Sequence, residues 1–300
     1  MPAHPLHAPV LDWYAVHARD LPWRRPDRTP WGVLVSEVML QQTPVARVLP
    51  VWTEWLARWP EPADLAAAGP GEAIRQWGRL GYPRRALRLH AAAAAVVDRH
   101  GGTVPADHAL LLALPGVGGY TAAAVASFAF GGRHAVVDTN VRRVHGRAVT
   151  GVAAPGPALT RAQVRLAEDL MPEDPAEAAT WAVASMELGA LVCTARAPRC
   201  GRCPVAALCR WQLDGAPPPT GPQGRGQAWL GTDRRVRGML LAQLRATPHP
   251  VPRGRLLAAV PDAVLRDARE DPGQRDRCLA TLVEDGLVEP VGADLFALPG

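Results

Sequence analysis

Residues 107–130 read DHALLLALPGVGGYTAAAVASFAF, and this stretch decides the fold of the region around it. Apolar residues at helical spacing flank LPGVGG, so the sequence predicts two helices joined by a tight turn. The glycines allow the sharp turn, and the amides that open the second helix suit a DNA phosphate. A purely structural turn between packed helices is the alternative. The predicted DNA contacts are Leu114, Pro115, Gly116, Val117, Gly118 and Gly119.

The chain around this stretch keeps a helical pattern up to residue 213. Apolar residues recur at helical spacing in segments such as WGVLVSEVMLQQ and RRALRLHAAAAAVVDRHG, and Gly and Pro separate these segments at short intervals. The alternation typical of strands does not occur there. The sequence therefore predicts an all-α domain over residues 1–213.

A Pro/Gly-rich segment separates this domain from a tail. Residues 214–228 read DGAPPPTGPQGRGQA, in which eight of fifteen residues are Pro or Gly, as in a stiff linker. Residues 229–300 carry three helical stretches and a final alternating segment that predicts a hairpin. Three helices and a hairpin are typical of a small α+β, winged-helix-like domain. The predicted helices cover 232–246, 253–270 with a break near Pro261, and 273–285.

The composition narrows the classes of function. The chain has 300 residues, a formal net charge of +5 and 33 basic side chains, all of them arginine because the sequence contains no lysine. No side-chain amine can therefore form a Schiff base with a sugar aldehyde. The excess positive charge lies within residues 1–228, which fits a polyanionic partner. Neither a membrane helix nor a secretory signal is apparent, so we expect a cytoplasmic protein with no membrane partner.

Four of the five cysteines form a ligand set. Cys193, Cys200, Cys203 and Cys209 have the spacing C-x6-C-x2-C-x5-C. Disulfides are not expected in a reducing cytoplasm. Four thiolates suit either structural zinc or an iron–sulfur cluster. The remaining Cys278 lies on an apolar helix face and is expected in a core.

Two acidic residues are distinguished by their surroundings. Glu37, in WGVLVSEVMLQQT, lies on a helix that is apolar on most sides, so burial should raise the pKa of its carboxyl group. Asp138, in HAVVDTNVRRVHGR, precedes a helix and is expected to cap it and to stay ionised. A structural role at a helix junction is the alternative for Glu37, and capping alone could explain Asp138.

Together these segments resemble a known family. LPWRRPDRTPWGVLVSEVMLQQT, LGYPRRALRLH, LPGVGGYTA, VVDTNVRRV and the cysteine set occur in the order of the helix–hairpin–helix DNA glycosylases, with the closest resemblance to the adenine DNA glycosylase branch. The resemblance covers roughly residues 10–212. It implies a two-lobed α fold, a 4Fe–4S cluster on the four cysteines, and a monomer that binds double-stranded DNA containing adenine mispairs between its lobes.

The resemblance also implies roles for individual residues. Glu37 would protonate the flipped adenine and Asp138 would stabilise the sugar cation, as paired carboxylates do in glycosidases. Tyr120 and Asn140 would lie beside the reacting centre as hydrogen-bonding partners. The enzyme would excise adenine opposite 8-oxoguanine or guanine and, without lysine, would leave the strand intact.

Further implied contacts concern the DNA outside the catalytic centre. Gln41 and Gln42 would fill the gap left by the flipped base, and Tyr82 would wedge into the duplex near the partner base. The chain departs from the family at Pro83, where a second tyrosine is common. Its tail is too short for the Nudix-like domain that many members carry.

Three other functions are compatible with parts of this pattern. An endonuclease III-like enzyme would carry a lysine nucleophile at the position of Tyr120. A thymine-mismatch glycosylase can carry tyrosine there, and Gln41, Gln42 and Thr43 favour adenine over it. A non-catalytic iron–sulfur regulator would explain the tail and the cysteines but not the residues that match an active site.

Overall fold

The structure is a computed structural model that describes residues 4–219, 231–265 and 271–300. The chain folds into two compact units, each assembled from separate segments of the sequence. The first unit comprises Met1–Glu37, Pro105–Ala113 and Val117–Gln223. The second comprises Val38–Val104, Leu114–Gly116 and Gly224–Gly300.

The first unit is built on a long helix with a buried face. That helix, α11 (Pro175–Leu191), presents Trp181, Ala184 and Leu188 to a core that also holds Leu6 and Val10 from the N-terminal segment. The helices are connected by a π-helical turn at Gly146–Thr150 and by short 3-10 turns at Pro22–Arg24, Cys200–Arg202 and Ala206–Leu208. The α-helices of this unit are α1 (His7–His17), α7 (His108–Leu112), α8 (Gly119–Phe130), α9 (Thr139–His145), α10 (Arg161–Asp169), α11 (Pro175–Leu191) and α12 (Arg210–Leu213).

The second unit contains a cluster of tryptophans. The rings of Trp55 and Trp59 meet edge to face at 4.7 Å, and those of Trp55 and Trp77 at 5.8 Å. Aromatic pairs in this geometry stabilise a core beyond the burial of their area. The α-helices here are α3 (Val45–Arg58), α4 (Pro62–Ala67), α5 (Pro70–Trp77), α6 (Arg84–His100), α13 (Asp233–Arg245), α14 (Arg253–Ala258) and α15 (Gln274–Glu284).

The fold class agrees with the sequence-based prediction. Residues 4–219 contain helices and no strand, so the all-α prediction is confirmed for the described part of that region. Helix α2 (Pro30–Leu40) ends the first segment of the first unit and enters the second. No helix among the described residues is both long and apolar enough to cross a membrane.

The tail is α+β, as predicted, with one strand that the pattern did not show. Strands β1 (Val251–Pro252), β2 (Glu289–Val291) and β3 (Leu295–Ala297) form an antiparallel sheet in the order β1-β3-β2. In its register Phe296 of β3 faces Val251 on one side and Pro290 on the other. The β2–β3 pair is the expected hairpin, whereas β1 has two residues, too few for alternation to reveal.

The break predicted near Pro261, within the helical stretch 253–270, is present in the structure. Helix α14 ends at Ala258, and a 3-10 turn follows at Asp262–Val264. Pro261 explains the early end, because a proline disfavours helical backbone in the residue before it. The last predicted helical residues, 266–270, lie outside the described residues, as do 220–228 of the predicted linker.

The tail packs on α5 within the second unit. The Arg75 guanidinium donates to the carbonyl oxygens of Leu244, Arg245 and Thr247 at the C-terminal end of α13. At Gly71 the backbone N–H donates to the Pro299 carbonyl at 2.8 Å, and a Cβ there would lie 2.4 Å from that oxygen. Glycine is thus required at this close approach. The domain limits at 213 and 229 stay a prediction.

Candidate active site

Helix α2 buries a carboxyl group. Its sequence, PWGVLVSEVML, is apolar except for Ser36 and Glu37, and the residues between Trp31 and Met39 are enclosed. Glu37 keeps only 5% of its surface exposed. A glutamate at such a position loses the hydration that stabilises its charged form.

The surroundings of Glu37 place its titration near neutral pH. Burial raises the pKa of Glu37 to about 7, against an ordinary value of 4.5. A hydrogen bond from the Tyr120 hydroxyl and the charge of Arg24 lower this pKa, while the charge of Asp138 raises it. A carboxyl group with such a pKa can carry a proton at physiological pH and give it up to a base.

Asp138 is the N-cap of α9, as predicted. Its Oδ1 accepts a hydrogen bond from the Val141 backbone N–H at 2.7 Å, and its Oδ2 accepts one from Asn140 Nδ2 at 2.7 Å. Burial raises the pKa of the Asp138 carboxyl, and these hydrogen bonds oppose the rise because they favour the ionised form. Asp138 is therefore held rigidly, close enough to influence both Glu37 and Tyr120.

An arginine that the sequence reasoning missed braces this aspartate. Arg143 Nη2 donates to Asn140 Oδ1 and to the Gly189 carbonyl, each at 2.7 Å, and Arg143 Nε donates to the Cys193 carbonyl at 2.6 Å. A Cβ at Gly189 would lie 2.7 Å from Asn140 Cβ, so α11 approaches the first turn of α9 closely. Arg143 thus connects the hydrogen bonds of Asp138 with the start of the cysteine segment.

A second missed feature is a buried carboxylate with two arginines. Glu187 is fully enclosed in α11. Its Oε1 lies 2.6 Å from Arg19 Nε, and its Oε2 lies 2.9 Å from Arg24 Nη1. Burial would raise the pKa of Glu187, but the hydrogen bond from Arg19 and the charge of Arg24 lower it overall. The ion pair with Glu187 keeps Arg24 near Glu37 and Tyr120. Arg24 lies in the quoted LPWRRPDR motif, but its partner is 163 residues away and no local pattern reveals it.

The four cysteines of the predicted ligand set line one cavity. They share it with Arg147, Trp211 and other residues. Arg147 Nη1 donates to Cys193 Sγ at 3.4 Å, and Gln212 Nε2 donates to Cys200 Sγ at 3.2 Å. Hydrogen bonds to thiolate sulfur and a nearby cation stabilise an anionic metal–thiolate group. The donor set and its surroundings fit an iron–sulfur cluster.

The cavity brings all four thiol groups to one place, as a 4Fe–4S cluster requires because it is bound by one thiolate at each iron. Cys278 lies apart from this cavity, buried on α15 as predicted.

The turn between α7 and α8 combines buried and open positions. Leu114 and Val117 are buried, whereas Gly116, Gly118 and Gly119 are exposed. Gly116 has a φ of +75°, and a Cβ there would lie 2.6 Å from Arg88 Cβ. Helix α8 begins at Gly119 without a side-chain cap, so its first amides are open to an acceptor. The apolar residues anchor the turn, and the glycines present the backbone.

The other predicted DNA contacts lie in the second unit. Gln42 and Tyr82 both have left-handed backbone, with φ of +55° and +47°, and both are exposed. Buried Arg85 joins their loops, because its Nη1 donates to the Gln41 carbonyl at 2.6 Å and its Nη2 donates to the Gly81 carbonyl at 3.0 Å. The structure therefore groups Glu37, Tyr120, Asp138 and Asn140 in the first unit and Gln41, Gln42 and Tyr82 in the second.

Comparisons with known proteins define the class. Residues 35–167 match the family model described as HhH-GPD superfamily base excision DNA repair protein, and residues 193–209 match the iron–sulfur binding domain of endonuclease III. A solved thermostable thymine-DNA glycosylase is similar with a TM-score of 0.60 and 29% identity, over 69% of this chain and 94% of that one. A solved non-covalent endonuclease III–DNA complex is similar with a TM-score of 0.58 and 26% identity, over 69% of this chain and 92% of that one. The fold is that of a helix–hairpin–helix glycosylase that binds a 4Fe–4S cluster and DNA.

A closer relative gives the particular family. The adenine DNA glycosylase of Mycolicibacterium smegmatis is 52% identical over 291 residues, which are 97% of this chain and 95% of that protein. The chain belongs to the adenine DNA glycosylase family of base-excision repair enzymes. It is therefore an enzyme rather than a non-catalytic regulator, and the sequence-based identification of the family and of its cofactor is confirmed.

Proposed function

We propose that the protein is a monofunctional glycosylase that releases adenine from mispairs with 8-oxoguanine or guanine, with Glu37 as its general acid. The observation that carries this proposal is the buried Glu37 carboxyl, whose pKa is raised to about 7 and which accepts a hydrogen bond from Tyr120. The close relative named as an adenine DNA glycosylase supports the choice of base.

Adenine is a poor leaving group until its ring is protonated. At pH 7 a carboxyl group with a pKa of about 7 is protonated in about half of the molecules, so it can supply this proton without a large energetic cost. The Tyr120 hydroxyl holds the carboxyl group in one orientation. Excluding water from this site strengthens its electrostatic interactions.

Asp138 has the complementary task. Breaking the glycosidic bond leaves positive charge on the sugar, which an ionised carboxylate stabilises. The two hydrogen bonds from Val141 and Asn140 favour that ionised form. Asp138 also raises the pKa of Glu37, so one group tends to stay charged while its neighbour keeps a proton.

The absence of lysine supports a reaction that stops at base release. Cleavage of the strand through a Schiff base needs an amine nucleophile, and the chain has no lysine side chain. The position that carries lysine in endonuclease III-like enzymes is Tyr120 here. The product is accordingly an abasic site in an intact strand.

The cysteine segment serves this site through the backbone. Cys193, Cys200, Cys203 and Cys209 would hold the cluster, which when bound ties residues 193–209 into one fixed loop. Arg143 donates to the Cys193 carbonyl and to Asn140, so the loop and the Asp138 cap share one hydrogen-bonded arginine. Arg196, Arg199, Arg202 and Arg210 would offer positive charge to a DNA backbone.

We assign recognition of the mispair to the turn before α8 in one unit and to Gln41, Gln42 and Tyr82 in the other. The amides at the start of α8 suit a phosphate, and the protein would act on its duplex as a monomer. Gln41 and Gln42 would occupy the gap left by adenine, and Tyr82 would stack near the partner base. An exposed aromatic ring is a sequence-tolerant platform for a base.

A panel of duplexes tests the proposal directly. We expect single-turnover release of adenine opposite 8-oxoguanine and opposite guanine, little release opposite cytosine, and no release of thymine opposite guanine. The thymine substrate is included because a thymine-DNA glycosylase of Aeropyrum pernix is 34% identical over 67% of this chain. Thymine release without adenine release would contradict the proposal.

A further inference from the structure

The ring of Tyr82 lies beneath two guanidinium groups. The Cζ atom of Arg85 is 5.4 Å from the ring centroid, and that of Arg234 is 4.9 Å from it. Arg85 is buried on α6, whereas Arg234 is exposed on α13, the first helix of the tail. Tyr82 is itself 45% exposed and has left-handed backbone. An exposed aromatic side chain in an uncommon backbone conformation is held by its neighbours.

The other arginines of the same helix differ in their contacts. Arg237 is bonded within the tail to Thr281 and Asp285. Asp285 also pairs with Arg84 at 3.2 Å, which fixes α13 and α15 beside the start of α6. Arg234 is the residue of this helix whose cation lies over Tyr82, and its Nη2 also lies 3.6 Å from where a Cβ of Gly81 would be. Arg234 therefore lies against the backbone of the loop that carries Tyr82.

We propose that Arg234 is a positioning residue for Tyr82, and that through this contact the tail raises the affinity of the protein for a mispaired duplex. The proposal rests on the proposed function, since it needs Tyr82 to contact DNA. The cation restricts the orientation of the Tyr82 ring, and the exposed 45% of the residue remains available to a base. The tail, which carries no net charge as a whole, would act through this one residue.

The affinity for DNA is the first readout. The probe is a duplex with 2′-fluoro-2′-deoxyadenosine opposite 8-oxoguanine, in which fluorine slows base release. Arg234→Ala should weaken binding about two- to fivefold, the range expected from an exposed cation–π contact. Arg234→Lys should restore most of the loss because lysine keeps the cation. Arg235→Ala, one residue along with the same change of charge, is the matched control and should change affinity less.

A double-mutant cycle separates a positioning role from a direct phosphate contact. On a Tyr82→Phe background, which keeps the ring, Arg234→Ala should have its full effect. On a Tyr82→Leu background the effect should disappear. Equal losses for Arg234→Ala and Arg235→Ala, or an unchanged Arg234→Ala effect in Tyr82→Leu, would overturn the proposal.

Adenine release separates failure of this inference from failure of the proposed function. The rate of release at saturating enzyme should change less than twofold in Arg234→Ala, since chemistry depends on Glu37. A wild-type protein that releases no adenine contradicts the proposed function, and the binding comparison still decides the role of Arg234.

Discussion

The titration of Glu37 makes the rate of adenine release depend on pH in a defined direction. If the protonated carboxyl is the active form, the rate follows the fraction of Glu37 that holds a proton. With a pKa of about 7, that fraction is about nine-tenths at pH 6 and about one-tenth at pH 8. The rate of release should therefore fall about tenfold between these values.

Tyr120 offers a way to move this profile. Its hydrogen bond lowers the pKa of Glu37, so Tyr120→Phe should raise that pKa and shift the alkaline fall of the rate to higher pH. The assay is single-turnover release from a duplex with adenine opposite 8-oxoguanine, at saturating enzyme and constant ionic strength. A flat profile between pH 6 and 8, or a shift to lower pH in Tyr120→Phe, would refute the assignment of Glu37 as the acid.

Three further predictions concern strand cleavage, the cluster and stability. Borohydride should trap no covalent enzyme–DNA adduct during turnover, because the chain has no lysine. Efficient trapping would contradict the claim that the reaction stops at base release. Purified protein should contain iron and sulfide, and Cys203→Ser should lose them while Cys278→Ser keeps them; a protein that is folded and active with one zinc would show that the cluster is absent. Glu37→Gln should raise the free energy of unfolding by about 3 kcal/mol at pH 8, since Glu37 titrates at about 7 when folded and near 4.5 when unfolded. This gain should fade as pH drops from 7 to 4.5, and a gain independent of pH would mean that it has another cause.

The reason for the sign of the stability effect is the direction of the pKa shift. A carboxyl group whose pKa is raised in the folded state binds its proton more tightly there than in the unfolded chain. Raising pH above 4.5 therefore favours the unfolded state until Glu37 has also lost its proton in the fold. Glutamine has no proton to lose and avoids this penalty.

Features encoded in adjacent residues could be predicted from the sequence. The apolar helix around Glu37, the cap at Asp138 and the cysteine spacing each occupy a short segment, so local rules were enough to place them. The raised pKa of Glu37 followed from the apolar character of α2 alone. The hairpin in the tail was visible because its strands alternate.

Features that depend on contacts between distant segments could not be predicted. Glu187 pairs with Arg19 and Arg24 across more than 160 residues, and nothing near any of the three residues signals the partnership. The contact of Arg75 with the carbonyls at the C-terminal end of α13 is equally remote in sequence. The two-residue strand β1 exists only because β3 lies beside it.

The central claim is that Glu37 supplies the proton for adenine release. Its most direct test is the single-turnover rate of Glu37→Gln on adenine opposite 8-oxoguanine, with the exposed Glu284→Gln as the control for loss of a carboxylate. General acid catalysis predicts a loss of about 10²–10⁴-fold in Glu37→Gln, with binding of the duplex retained and Glu284→Gln unchanged. Release by Glu37→Gln at nearly the wild-type rate would contradict the claim.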